Sequence, residues 1–72
     1  MRAKGVNNMS NLKDMRTRRG MTQAQLADAA GVNIRLVQDY EQGHKDINRA
    51  AAITVYQIAQ ALRCAVEDII EL

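Results

Sequence analysis

Few side chains of this 72-residue chain can do covalent or acid–base chemistry. A lone cysteine, Cys64, and a lone histidine, His44, cannot make an internal disulfide or a metal site between them. There is no Ser–His–Asp set, no glycine-rich phosphate loop and no pair of acids marking a cleft, so an enzyme is not expected. What remains is recognition chemistry, and it is concentrated between Asn33 and Gly43. On a helical wheel of about 100° per residue, Val37, Tyr40 and Glu41 fall on one side. Ile34, Arg35, Gln38, Asp39 and Gln42 fall on the other, an exposed face able to enter a major groove. The planar fork of Arg35 can donate two hydrogen bonds to guanine O6 and N7, worth roughly 1–3 kcal/mol of discrimination. Gln38 can pair with adenine or with a phosphate. Ile34 suits a thymine methyl, and nearly as well an apolar staple against a neighbouring helix. Asp39 can accept from cytosine N4, but phosphates repel it; pairing with Arg35 one turn away, which would aim that guanidinium, is the favoured reading. Leu36 sits at the border, as core or rim.

Such a face needs a scaffold. Nearly half of the residues are hydrophobic, yet Tyr40 and Tyr56 are the only aromatics, so the core must come from Ala, Leu, Ile, Val and Met. Those residues favour helices, as does the absence of proline. Residues 1–10 show no periodicity and read as a flexible arm. Ser10 or Asn11 can cap a first helix from about Asn11 to Arg19, with Gly20 beyond it and Leu12 and Met15 facing inward. Thr22 opens a second helix, and Gln25 three residues on completes a capping-box pattern. Leu26, Ala27 and Ala30 are its apolar stripe, and Gly31 stops it. Asn33 caps the third helix, Ile34–Gln42, and Gly43 ends it. The spacing predicts a helix, a tight turn and a second helix. After a loop from His44 to Asn48, a fourth helix is expected from Arg49 to Leu62, capped by Asn48 or Asp46, with Ala52, Val55, Ile58, Ala59 and Leu62 facing inward. Arg63 stands where a helix end prefers glycine. Val66, Ile69 and Ile70 mark a short fifth helix for which Ala65 is a poor cap, although Glu67 and Asp68 suit its positive end. The expected architecture is a compact all-α, five-helix domain over residues 11–72.

The segment Gln23 to Tyr40 resembles the helix-turn-helix of the Cro/lambda-repressor-like family, often called XRE. The matching positions are Gln23, Leu26, Ala27, Ala30, Gly31, Val32, Val37 and Tyr40, and the likeness extends over about residues 11–72. A small residue at Ala27 lets two helices cross, Gly31 makes the tight turn, and Val32, Val37 and Tyr40 bury the second helix against the first. The resemblance implies a lambda-repressor-like fold whose helix 34–42 reads base edges with Ile34, Arg35, Gln38 and Asp39. It places Gln23 on a phosphate, beside Thr22 at a helix N-terminus where backbone N–H groups attract anions. Gln42, His44, Lys45 and Arg49 flank the end of the reading helix and are candidates for gripping the backbone on its other side. The family's ion pair between the first and third helices falls on Arg16 and Glu41, which makes Arg16 scaffold. The expected function is a transcriptional regulator, a repressor that occupies an operator, with double-stranded DNA as partner. A homodimer joined through the last helices would read a pseudo-palindromic site. Some members of this fold contact proteins instead. Ile34, Leu36 and Asp39 depart from the usual polar reading helix, and Ile53 suits a dimer face, so an interaction domain is the alternative.

Charge agrees with an anionic partner. Arg2, Lys4, Lys13, Arg16, Arg18 and Arg19 face only Asp14 in the first 21 residues, while the remainder carries more acids than bases. Arg2 and Lys4 can lie along a duplex. Cys64, in an apolar run, reads as a small buried hydrophobe. The single cysteine, the absence of a signal-peptide core and the lack of a membrane-length apolar run point to a cytoplasmic protein, nucleoid-associated through DNA. No cofactor, metal or small-molecule effector site is expected.

Overall fold

A computed structural model describes residues 10–71. Arg2 and Lys4, on the expected arm, lie outside them. Among the described residues there are four α-helices, two 3-10 turns and no strand. The order is α1 (Asn11–Arg18), α2 (Gln23–Ala30), α3 (Ile34–Gln42), a 3-10 turn (Ile47–Arg49), α4 (Ala52–Leu62) and a last 3-10 turn (Val66–Asp68). None of these helices is long and apolar enough to cross a membrane.

The all-helical class and the helix–turn–helix stand as the sequence predicts, because their boundaries are set by short-range chemistry. The Ser10 hydroxyl accepts from Lys13 N at 3.0 Å and starts α1. Thr22 Oγ1 accepts from Gln25 N at 3.0 Å while Gln25 Oε1 accepts from Thr22 N at 2.9 Å, a reciprocal cap on α2. Gly31 ends α2 in the left-handed region, at φ 71°. Asn33 Oδ1 accepts from Arg35 N at 2.8 Å and opens α3.

The core closes between the helices. Leu12, Leu26, Val37, Ile58, Leu62 and Ile69 are fully buried, so α1, α2, α3, α4 and the last turn each contribute. α2 packs on both α3 and α4. Ala27 and Ala59 are buried too, and their small side chains let backbones approach where bulk would separate them. Met15, Val32, Leu36 and Cys64 are half-buried around this centre. Burial pushes the Cys64 thiol up; Asp68 adds to the shift and Arg19 opposes it. Burial also raises the Tyr40 phenol above its ordinary value of 10.0.

Two expectations about the second half are corrected. The fourth helix begins at Ala52, not Arg49. Asp46 Oδ1 accepts from Asn48 N at 2.9 Å and winds Ile47–Arg49 into a 3-10 turn that buries Ile47. Ala50 then runs extended, and Asn48 cannot cap because its amide binds both backbone groups of Glu71. Ala52 is exposed accordingly, and Ala51 provides no side-chain cap. The fifth helix is a 3-10 turn. Ala65 has no side-chain acceptor, although Asp68 Oδ2 accepts from its N–H at 3.1 Å. Asn11 Nδ2 donates to Ile70 O at 2.8 Å and Glu71 N donates to Asn48, so the following backbone is drawn away from helical bonding.

Arg63 closes α4 in the left-handed region, at φ 55° and ψ 47°, the one non-glycine residue with positive φ among those described. Arg19 compensates from across the fold: its Nε donates to Leu62 O at 2.7 Å and its Nη2 to Arg63 O at 3.3 Å. A cation thus covers the negative end of a helix.

Two measurements check these features. Gly31→Ala is expected to cost about 1 kcal/mol through φ strain alone, since a Cβ there meets open space, whereas Arg63→Gly is expected to gain up to about 1 kcal/mol. Urea denaturation should move the two midpoints in opposite directions. Because the folded Tyr40 phenol ionises above the unfolded one, its contribution is complete below pH 10.0 and is lost as pH rises through the folded value. Tyr40→Phe should flatten the alkaline decline in melting temperature.

Candidate nucleic-acid interface

α3 is amphipathic around its whole length. Val37 and Tyr40 are buried, while Ile34, Arg35 and Gln42 are exposed and Gln38 and Asp39 are half-buried at the border. Ile34 is 40 % exposed, which leaves much of its side chain available to a groove. The exposed face contains the amide and guanidinium groups that match base edges.

The position of that face is fixed from behind. Arg16 on α1 reaches Glu41 on α3 through two parallel bonds, Nε to Oε2 at 2.6 Å and Nη2 to Oε1 at 3.0 Å. The side chains are only 11 % and 2 % exposed, so this is a screened, charge-assisted fork and not a solvated pair. Arg16 Nη1 also donates to Met21 O at 2.8 Å, tying in the turn before α2. Gln23, the first residue of α2, donates from Nε2 to Glu41 Oε1 at 3.0 Å. Gln38 donates from Nε2 to Gln23 Oε1 at 3.5 Å, a long bond that reaches the reading face. One carboxylate thereby joins three helices. The family resemblance implies the Arg16–Glu41 pair, but not the amides that extend it. The signal was present: Gln23 at the start of α2 and Glu41 on the inner side of α3 both point toward the junction.

The other candidates divide. Thr22 is exposed, and its hydroxyl keeps a proton to donate while its oxygen caps α2. The backbone N–H groups of Gln23 and Ala24, in the first turn of α2, lie ahead of the intrahelical ladder. His44 and Lys45 are exposed immediately after α3, and their backbone N–H groups both donate to Asp39 O, at 2.9 and 3.2 Å. Arg49 is exposed on the 3-10 turn before α4. Asp39 corrects an expectation. Its carboxylate stands 3.6 Å from His44 Nδ1 and does not aim Arg35. Gly43, at φ 81°, folds the chain back so that His44 meets the helix end, whereas Arg35 remains extended into solvent. Among the described residues no cluster of three or more His, Cys, Asp or Glu side chains could hold a metal ion.

A helix-turn-helix with an exposed polar second helix, held by a buried ion pair, defines a DNA-reading regulator. The helix-turn-helix family model matches residues 12–69, most of the chain, and the chain belongs to this XRE-type family of DNA-binding transcriptional regulators. Among solved structures, the chain is similar to the restriction-modification controller protein C.AhdI from Aeromonas hydrophila, with 24% sequence identity and a TM-score of 0.72. The likeness covers 81% of this chain and 83% of that one, and it shows a shared fold. No curated protein sequence matches.

The buried fork generates a test. Glu41→Ala leaves Arg16 charged and unpartnered and should cost about 3–5 kcal/mol in chemical denaturation. The double variant Arg16→Met/Glu41→Leu should recover a large part of that loss, because no charge is then stranded.

Proposed function

We propose that the chain is a sequence-specific repressor that lays α3 in the major groove and blocks transcription by occupying its operator. The observation that carries this reading is the immobilised polar face of α3, set by Glu41 against α1 and α2. Arg35 is the main base reader, since its guanidinium is exposed and uncommitted to Asp39. Gln38 reads beside it, and Ile34 supplies apolar contact to a thymine methyl. Asp39, whose carboxylate stands 3.6 Å from His44 Nδ1, sits at the border of this face.

Phosphates supply most of the affinity. Thr22, Gln23 and the free N–H groups opening α2 hold one strand. Gln42, His44, Lys45 and Arg49 hold the backbone near the far end of α3. Residues 11–72 act as the DNA-binding domain, and Arg2 and Lys4, outside the described residues, add positive charge that suits phosphates.

The functional unit is a homodimer on a pseudo-palindromic site. Ile53 and Tyr56 support this, being 61 % and 53 % exposed on α4. Half-sites then lie about 34–36 Å apart, one helical turn. The shared fold with a controller protein makes controller-type regulation the first biological setting to test. The protein acts in the cytoplasm, at the nucleoid.

Titration into fluorescent duplexes from the gene's own upstream region, and into scrambled duplexes, tests the reading at about 50 and 200 mM salt. Tighter binding to the native duplex is expected, with affinity falling by a log–log slope of about −0.9 per neutralised phosphate. Arg35→Ala should lose the preference and keep the salt dependence. Salt-independent behaviour that tolerates loss of Gln23 would instead identify a protein-interaction domain.

A further inference from the structure

The 3-10 turn before α4 presents Arg49, and the two residues ahead of it fix how that turn is rotated. A 3-10 helix advances about 120° per residue, so Ile47, Asn48 and Arg49 leave the turn in three directions. Ile47 points into the core, where it is buried. Asn48 points to the segment after the last 3-10 turn. Its planar amide pairs with Glu71 as a neighbouring strand would. Glu71 N donates to Asn48 Oδ1 at 2.6 Å, and Asn48 Nδ2 donates to Glu71 O. Arg49 takes the third direction and is exposed. An apolar plug such as Ile47 resists withdrawal but is non-directional, so by itself it lets the turn rock. Two hydrogen bonds to one residue's backbone remove that rotation, and with it the freedom of the Arg49 stem.

Glu71 is itself fastened to α1. Asn11 N donates to its carboxylate at 2.6 Å, and Asn11 Nδ2 donates to Ile70 O at 2.8 Å. Ile69, just before them, is fully buried. The Arg16 fork ties α1 to α3 in turn. One helix thus sets the place of the reading face through Arg16, and of Arg49 through Asn11, Glu71 and Asn48. Resting on the reading that α3 enters the major groove while Arg49 meets a phosphate, we infer that Asn48 is a positioning residue for DNA binding. Its clasp on Glu71 holds Arg49 at the spacing from α3 that the duplex backbone demands. A cation held in this way loses less freedom on binding than one on a loose loop.

The full chain is titrated into a duplex found by random-duplex selection, between about 50 and 200 mM salt. Arg49→Ala, Asn48→Ala and the double variant are titrated alongside, with circular dichroism reporting the fold of each. Arg49→Ala should flatten the log–log salt slope by about 0.9, so that its affinity falls roughly 3.5-fold less than the native one over that range. Asn48→Ala removes no charge, yet it should flatten the slope in the same direction. The double variant should bind as Arg49→Ala does. A folded Asn48→Ala with the native slope overturns the inference, as do losses that multiply in the double variant. If Asn48→Ala fails to fold, hydrogen exchange on the saturated complexes decides. Binding that needs the clasp closed must in return hold it closed. The Glu71 amide should therefore exchange several-fold more slowly in the native complex than in the Arg49→Ala complex, and equal rates overturn the inference. An Arg49→Ala slope equal to the native one takes Arg49 off the phosphates and overturns the inference while leaving the reading by α3 intact. Failure of the native chain to bind any duplex overturns both.

Discussion

The arrangement of the first three helices depends on one buried carboxylate. Glu41 receives both arms of the Arg16 fork and the amide of Gln23, and Arg16 spends its remaining reach on the Met21 carbonyl. A pair this far from solvent gives up strong hydration, which offsets much of the attraction between its partners. Its larger effect is on geometry. Any arrangement that slid α3 along α1, or rotated α2 away, would leave a charge buried without a partner. The packed aliphatic side chains alone are less exacting, because Leu, Ile and Val tolerate several similar packings. Polar contacts therefore set the register of helices that apolar contacts hold together.

The second half is organised differently. Here the backbone is held by side chains from distant parts of the sequence. Asn48 pairs with both backbone groups of Glu71, Asn11 N donates to the Glu71 carboxylate at 2.6 Å, and Arg19 covers the last carbonyls of α4. These contacts let two short 3-10 turns stand where regular helix would otherwise be needed to satisfy the backbone. They also fasten the end of the chain to α1, so that Ile69 is held in the core.

This division explains what could be read from the residues alone. Thr22, Gly31, Asn33 and Gly43 act on backbone groups within a few positions of themselves, so the limits of α2 and α3 were legible. The Arg16–Glu41 pair was legible through family resemblance and through the inward placement of Glu41. The start of α4 was not, because the competition for Asn48 comes from Glu71, 23 residues away. Nor was the last turn, where Asn11 acts across 59 residues on Ile70. Asp39 shows a subtler limit. Arg35 and His44 both lie within reach of it along the chain, and only the path through Gly43 decides between them. The orientation of Gln38 needs three residues from separate helices, so no spacing rule announces it.

The scarcity of aromatic side chains has an optical consequence. With no tryptophan or phenylalanine in the chain, ultraviolet emission comes from Tyr40 and Tyr56 alone. Tyr40 is buried on the inner side of the reading helix, and Tyr56 is half open to solvent on α4, its hydroxyl accepting from Gln60 at 2.7 Å. The two therefore stand in different solvents within one molecule. Quenching by a dissolved ion would extinguish Tyr56 first and reach Tyr40 only when the helices part. The chain thus contains one chromophore that reports on its outer surface and another that reports on its interior, and a single substitution at either position separates the two signals without an attached dye.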